Sequence, residues 1–406
     1  MARGHGLGRR SSARARRLHG PERDPEATTR LRPVMSMIRS LYAWQYNARQ
    51  WYVGRVWSRR GAAANGGGLP REPERALILL CGLIGDTVMS TPVLVEARRL
   101  WPRARITMLG TRSTCELLGA CPLIDECKVT PAVPFTIRNG RGVAELGRWL
   151  GEQRFDVAMI LLGDQFASTL AEAGIPVRVG VRGTPLEPCL TATYDIKNPR
   201  EWGPRERLGA LEALGYEVHA APPRLWVRPE WRASARERLS ESGLPDGAPY
   251  AVVHPFGSTP RQWWPLDRVN PLARGLQAHH GLKTIVIGGP ETKGQLPVAR
   301  DAPAMDVTGK LSITELVAVI EGAARVVSTD SGPFHIAGAL GRPLVGMFRG
   351  VRPEHAARYP GAAVAFGRDT ACETQCAWDR CCAIPCRQMT ALGVEEVLAA
   401  IAGNAP

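Results

Sequence analysis

The sequence predicts an α/β protein built as two doubly wound domains, each a parallel sheet covered by helices on both faces. Three observations carry that prediction. The chain is 406 residues long, more than one hydrophobic core normally spans. Short apolar runs alternate with helical stretches over most of its length, which is the signature of parallel strands joined by crossover helices. The apolar runs end in glycine-rich or polar loops, and such loops line the carboxyl edge of a sheet, where open α/β folds bind ligands.

Taken in order, "RALILLCG" (75–82) is a buried strand and "TPVLVEARRLWP" (91–102) a helix stopped by Pro102. Then come "RITMLGT" (105–111) as strand, "AELGRWLGEQR" (144–154) as helix, and "FDVAMILLG" (155–163) and "RVGVRG" (178–183) as strands. A long polar helix and turn, "WVRPEWRASARERLSESGLPDGAP" (226–249), interrupts the alternation and puts a domain boundary near Pro229. The pattern then resumes. "YAVVHPFGS" (250–258), "LKTIVIGGPE" (282–291) and "RVVSTDSG" (325–332) are strands with their loops; "LDRVNPLARGLQAHHG" (266–281) and "SITELVAVIEGA" (312–323) are helices. The expected organisation is an N-terminal extension and linker at 1–70, a first domain at 71–228, and a second at 229–406 ending in a cysteine-rich segment. No repeat of fixed short period is visible, so solenoids and propellers are excluded.

The net charge is +14, but the first sixty residues hold +11 of it. Residues 1–33 carry nine Arg against Glu22, Asp24 and Glu26, and Arg39, Arg49, Arg55, Arg59 and Arg60 follow with no acid among residues 34–60. A nearly neutral body with a basic front end argues for a tethered contact with an anionic surface and against a nucleic-acid groove. Between Val34 and Trp57, Trp44, Trp51, Trp57, Tyr42, Tyr46 and Tyr52 are mixed with arginines. That composition suits a membrane interface, and it equally suits a helix packed on the body. "GAAANGGGLPREPE" (61–74) reads as a linker. The longest apolar run, Ala76–Gly85, is far below the roughly 18 residues of a membrane span.

The stretch "VVSTDSGPFHIAGALGRPLVGMF" (326–348) spells strand, tight loop, helix. Backbone N–H groups at the start of such a helix have no intrahelical partner and favour an anion. Ser331, Gly332, Phe334 and His335 are the donors expected there, Pro333 having no N–H. Asp330 either caps the helix or grips a sugar hydroxyl. Glu291, in the loop after a second strand, is placed to accept from ribose or sugar hydroxyls. Ser258, Thr259 and Arg261 follow a third strand, and Arg is suited to a diphosphate leaving group. In the first domain Gly85 is expected to make the turn after the strand. Asp86, at the mouth of the next helix, is either a cap or a general base.

These stretches, with "IGDTVMSTPVLVEARRLWP", "HPFGSTPRQWWPLDRV", "IGGPE" and "TGKLSITEL", resemble the bacterial heptosyltransferases of glycosyltransferase family nine, over roughly residues 76–402. The resemblance implies a GT-B fold, two Rossmann-like domains facing a cleft. It also implies inverting transfer of heptose from ADP-heptose to the lipopolysaccharide inner core (a lipid A–Kdo acceptor). Neither a catalytic metal nor any other cofactor is implied. The expected location is the cytoplasmic face of the inner membrane, peripherally bound. By position, Asp86 then matches the family's base and Arg261 a residue near the diphosphate. Ser258 and Thr259 lie in the same donor loop. Glu291 matches a ribose contact, Leu311 an apolar contact near the nucleotide base, and Asp330 a donor-sugar contact. Ser331, Gly332 and His335 match the phosphate loop. Leu80 and Cys81 stand where the family commonly has a basic residue, and "RGVRPEH" (349–355) replaces its usual Gly-Pro-Thr. Both departures concern the acceptor more than the donor, and they leave open a GT-B protein that uses another nucleotide sugar or one that binds a nucleotide sugar without catalysis.

Ten cysteines include Cys372, Cys376, Cys381, Cys382 and Cys386. Their spacing lacks the tight C-x-x-C pairs of a zinc site, so a structural role and a thiolate metal site both fit. For a chain acting in the cytosol, disulfides are not expected.

Overall fold

The computed structural model describes residues 50–56, 58, 72–130, 140–196, 203–297, 303–348, 359–366, 384 and 386–403. Its first sheet comprises β1 (Arg75–Leu80), β2 (Arg105–Gly110), β3 (Glu126–Val129), β4 (Val157–Leu162), β5 (Val177–Val181) and β6 (Ala192–Tyr194), in the order β3-β2-β1-β4-β5-β6. The second comprises β7 (Tyr250–His254), β8 (Lys283–Val286), β9 (Ala304–Asp306), β10 (Arg325–Thr329), β11 (Leu344–Phe348) and β12 (Ala362–Phe366), in the order β12-β11-β10-β7-β8-β9. Every pairing is parallel. Counted from the first strand of each sheet, both orders are 3-2-1-4-5-6. The two-domain, doubly wound fold expected from the alternation is therefore what the chain adopts.

That strand order fixes where ligands go. It reverses between β1 and β4 in one sheet and between β7 and β10 in the other, and open sheets bind at such switch points, beyond the carboxyl ends of the strands. The loop after β7 carries Ser258–Arg261, the loop after β10 carries Asp330 and Ser331 and leads into Gly332, and the loop after β1 leads into the helix that carries Asp86. Glu291 follows β8, one strand over.

Each sheet is buried on both faces, which is why its strands are apolar throughout rather than alternating. Ala76, Ile78 and Leu80 face Trp101, while Leu77 and Leu79 face Phe155 and Phe166. In the second sheet Val252 and Val326 pack with Phe334, and Ala251, Val253 and Val327 pack with Trp264. The core containing Phe334 also holds Val88 and Leu117 from helices of the first domain, so the two halves share apolar packing.

Helix α1 covers residues 50–56; α2 is Ile84–Leu100, α3 Arg112–Leu117, α4 Gly140–Gln153, α5 Ala167–Glu172, α6 Pro204–Glu212, α7 Pro229–Glu241, α8 Val269–His280, α9 Ile313–Gly322 and α10 Gly332–Ala339. The α9 start follows from "SITE". The Ser312 hydroxyl accepts from the Glu315 N–H (3.2 Å) and the Glu315 carboxylate from the Ser312 N–H (2.7 Å), the reciprocal pairing of a capping box. One expected start is corrected: Gly85 is not the turn after β1 but lies in the first turn of α2, the turn being Cys81–Leu83. Of the two readings of Asp330 the cap falls away, because the cap position of α10 is Ser331.

The expectation of no disulfides is also corrected. Cys115 and Cys127 are bonded, because α3 lies against β3 with the two Cα atoms 5.5 Å apart, within disulfide range. Cys372, Cys376, Cys381 and Cys382 lie outside the described residues, as do Trp44, Tyr46 and most of the linker. Cys386 is fully buried in the core around Trp264. Among the described residues no group of three or more His, Cys, Asp or Glu side chains is arranged to hold a metal, and no helix is long and apolar enough to cross a membrane.

Trp264 joins the last helices to the second sheet, being wholly buried and donating from Nε1 to the Leu392 carbonyl at 2.8 Å. Arg268 Nη1 donates to the same carbonyl at 2.5 Å. Trp264→Ala should lose about 3–5 kcal/mol to the cavity. Trp264→Phe should lose distinctly less, since Arg268 keeps the carbonyl paired; urea unfolding of the two variants checks the difference.

Candidate active site

Asp86 is the third residue of α2. Its Oδ2 accepts from the Leu83 N–H (3.0 Å), satisfying one of the donors a helix start leaves open. Its Oδ1 accepts from Arg207 Nη2 (3.0 Å). Arg207 Nη1 donates to the Asp86 carbonyl and to Ser90 Oγ, the latter at 2.6 Å. The Arg207 side chain is 1% exposed and that of Asp86 25%, so the guanidinium is walled in while one edge of the carboxylate faces the cleft. Burial draws the Arg207 pKa below its usual value, and Asp86 opposes that. A guanidinium keeps its proton even so, and it leaves the carboxylate one orientation.

The first turns of α2 and α10 touch. A Cβ at Gly85 would stand 2.8 Å from His335 Cδ2, and one at Gly332 would stand 2.9 Å from Ile84 Cγ2, so glycine at both positions is what allows the two helix starts to approach. His335 completes the contact. Its Nδ1 is 2.9 Å from Tyr359 Oη and its Nε2 is 4.0 Å from Asp330 Oδ1. Burial pushes the His335 pKa down to about 4, with Arg207 adding to the fall and Asp86 opposing it. At neutral pH the ring is uncharged, and the Asp330 contact is a polar approach rather than an ion pair.

The α10 start offers the Gly332 and Phe334 N–H groups at its open end. The expected His335 N–H donor is instead taken up within the helix, by the Ser331 carbonyl at 3.4 Å. The Ser331 hydroxyl, whose orientation the residue pattern did not predict, is turned beneath the loop. It lies 3.0 Å from His254 Nδ1 and 3.1 Å from Ser328 Oγ, and donates to the Thr329 carbonyl at 3.0 Å. Thr329 Oγ1 in turn donates to the Phe256 carbonyl, tying the loop after β10 to the loop after β7.

In that second loop Ser258 Oγ donates to Gln262 Oε1 (2.7 Å) and the Thr259 N–H to the same oxygen (3.3 Å). Both residues are exposed, and Arg261 is half-buried in a single 3-10 turn. Glu291 is exposed in the turn Pro290–Thr292. Leu311 is half-buried against the second-domain core. The Gly309 N–H donates to the Gly288 carbonyl (2.9 Å), so the Glu291 and Leu311 loops adjoin each other. The structure thus brings Asp86, Asp330, Gly332 and His335 to one place, ties the Ser258–Arg261 loop to it, and sets Glu291 and Leu311 beyond the neighbouring strand.

Arg207, His254, Gln262 and Tyr359 were not expected from the sequence. Arg207 had a signal, since it shares the core face of α6 with Leu208 and Leu211, and an arginine on such a face needs a buried partner. His254, ending a buried strand, had none.

A carboxylate fixed near a helix start puts a group able to act as a base beside a place suited to an anion. The family model described as glycosyltransferase family 9 (heptosyltransferase) matches residues 143–382. The chain belongs to glycosyltransferase family 9. As a family 9 glycosyltransferase it is 27% identical over 306 residues to lipopolysaccharide heptosyltransferase 2 of Escherichia coli K12, covering 69% of this chain and 84% of that one. It is 24% identical over 286 residues to E. coli lipopolysaccharide heptosyltransferase 3, covering 65% and 79%. Its fold matches a family 9 glycosyltransferase from Veillonella parvula (TM-score 0.68, 20% identity, 83% of this chain and 99% of that). It also matches the E. coli ADP-heptose lipopolysaccharide heptosyltransferase II (TM-score 0.66, 19% identity, 81% and 98%).

His335 and His254 titrate at about 4 and about 3 in the folded chain because burial disfavours the charged ring, against roughly 6.5 when unfolded. Between these values the unfolded chain binds more protons than the folded one, so stability is full above about pH 6.5 and falls as pH drops. Melting temperature should decline from pH 6.5 to 5, before most carboxylates protonate, and His335→Gln should flatten that decline.

Proposed function

We propose that this glycosyltransferase moves a heptose, with inversion, from ADP-heptose to the inner core of lipopolysaccharide, taking a lipid A–Kdo acceptor. The observation that carries the proposal is the meeting of α2 and α10, which brings the helix of Asp86 to the helix start that, on this reading, receives the diphosphate. An acceptor hydroxyl beside Asp86 attacks the anomeric carbon of the donor. The new carbon–oxygen bond forms as the bond to the diphosphate breaks, the hydroxyl proton passes to Asp86, and ADP leaves with the electron pair. A single displacement of this kind needs one base on the face opposite the leaving group, and it inverts the anomeric centre.

The charge that develops on the leaving diphosphate meets the Gly332 and Phe334 N–H groups and the positive end of α10, with Arg261 as the neighbouring cation. Fixed donors of this sort stabilise a transition state without reorganising, and the reading calls for no metal. Asp330 holds a hydroxyl of the donor sugar, Glu291 the ribose, and Leu311 the face of the base. Names among the relatives, such as E. coli lipopolysaccharide heptosyltransferase 2, support a heptose and a lipopolysaccharide acceptor. Peripheral binding at the cytoplasmic face of the inner membrane is part of the same proposal. Trp51 and Tyr52, 62% and 70% exposed on α1, with exposed Arg55 beside them, supply side chains suited to headgroup depth.

Calorimetric titration with ADP-heptose, ADP and UDP-sugars tests the donor, and preference for ADP-heptose is the expected result; preference for a UDP-sugar would overturn it. Asp86→Asn should bind ADP nearly as well as the parent chain while turnover falls by roughly 10²-fold or more. Its melting temperature should also drop, because Arg207 stays buried and loses its charged partner. Unchanged turnover would remove Asp86 from the role of base.

A further inference from the structure

The hydroxyl of Ser331 is in an unusual situation for a serine at a helix cap. Ser is favoured there because its oxygen accepts from an N–H two or three residues on. Ser331 has the extended backbone of a cap residue, φ −160° and ψ 176°, yet makes no side-chain bond to its helix. Its oxygen is instead engaged from below, by His254 Nδ1 and Ser328 Oγ, and its proton is shared between the Thr329 carbonyl and the imidazole. His254 is well placed to enforce this. It ends β7, the strand hydrogen-bonded to β10 through the Ser328–His254 register pair, it is buried, and its ring packs edge-on against Phe256 at 5.9 Å.

We propose that His254 is a positioning residue for the donor site. By holding the Ser331 hydroxyl beneath the loop, it stops that hydroxyl from capping α10 and so leaves the Phe334 N–H open to the donor's phosphate. The inference rests on α10 receiving the donor diphosphate. In the parent chain the helix start is completed by ligand rather than by its own side chain. When His254 is lost, Ser331 rotates onto the helix, and a phosphate must then compete with an internal cap. The same imidazole that ties β7 to the loop after β10 thereby sets donor affinity. Burial keeps it uncharged far below neutral pH, so the arrangement holds across any practical assay range.

The test is a small mutant cycle read by ADP titration and by the KM and kcat of transfer. His254→Leu fills the buried site without a polar atom and should weaken ADP binding and raise donor KM about five-fold, the usual size of a helix cap, with kcat nearly unchanged. Adding Ser331→Ala to it removes the competing hydroxyl and should return ADP affinity to within about two-fold of the parent. His254→Asn, whose amide can reach the Nδ1 position, should stay closer to the parent than His254→Leu. A merely structural role would lower the melting temperature of every His254 variant and leave the double variant no better than the single one. That outcome, or ADP binding by His254→Leu equal to the parent, overturns the inference. A parent chain that binds no ADP overturns the donor-site reading and this inference with it.

Discussion

The starts of α2 and α10 come together through two missing side chains, at Gly85 and Gly332, and the rest of the site follows from that approach. A methyl group at either position would push against His335 or Ile84 and separate the helix that carries Asp86 from the start of α10. Both helices leave the switch points of their sheets, so each Rossmann-like half carries one of the two helix starts. Apolar packing shared across the halves, with Val88 and Leu117 in the core of Phe334, holds the two starts in register.

Buried polar groups then set orientation. Arg207 loses most of its hydration and recovers it through Asp86 and Ser90, which leaves the carboxylate a single pose. His254 and Thr329 do the corresponding work in the second half, binding the loops after β7 and β10 to one another. Such groups are costly when left unsatisfied, so the networks are rigid, and rigidity is what a displacement reaction at a fixed distance requires.

Much of this was legible in the sequence. Strand and helix alternation gave both sheets, and the polar residues after β1, β7, β8 and β10 fall at one edge because parallel strands joined by crossover helices all end there. Local chemistry did less well where side chains had several options. Ser331 sits in the predicted loop, but whether its hydroxyl faces ligand or protein depends on a histidine 77 positions away in the chain. Gly85 resembled a turn residue, and only the approach of His335, from the other half of the molecule, explains it as a helix residue. The Cys115–Cys127 bond was likewise invisible, since it depends on α3 lying beside β3. Contacts between residues far apart in sequence are what periodicity and motif spacing do not encode.

The most direct measurement is a crystal structure of the chain with ADP-heptose bound. The diphosphate should lie at the start of α10 within hydrogen-bonding distance of the Gly332 and Phe334 N–H groups, with the anomeric carbon turned toward the Asp86 carboxylate. A diphosphate bound elsewhere, or an anomeric carbon facing away from Asp86, would contradict the account.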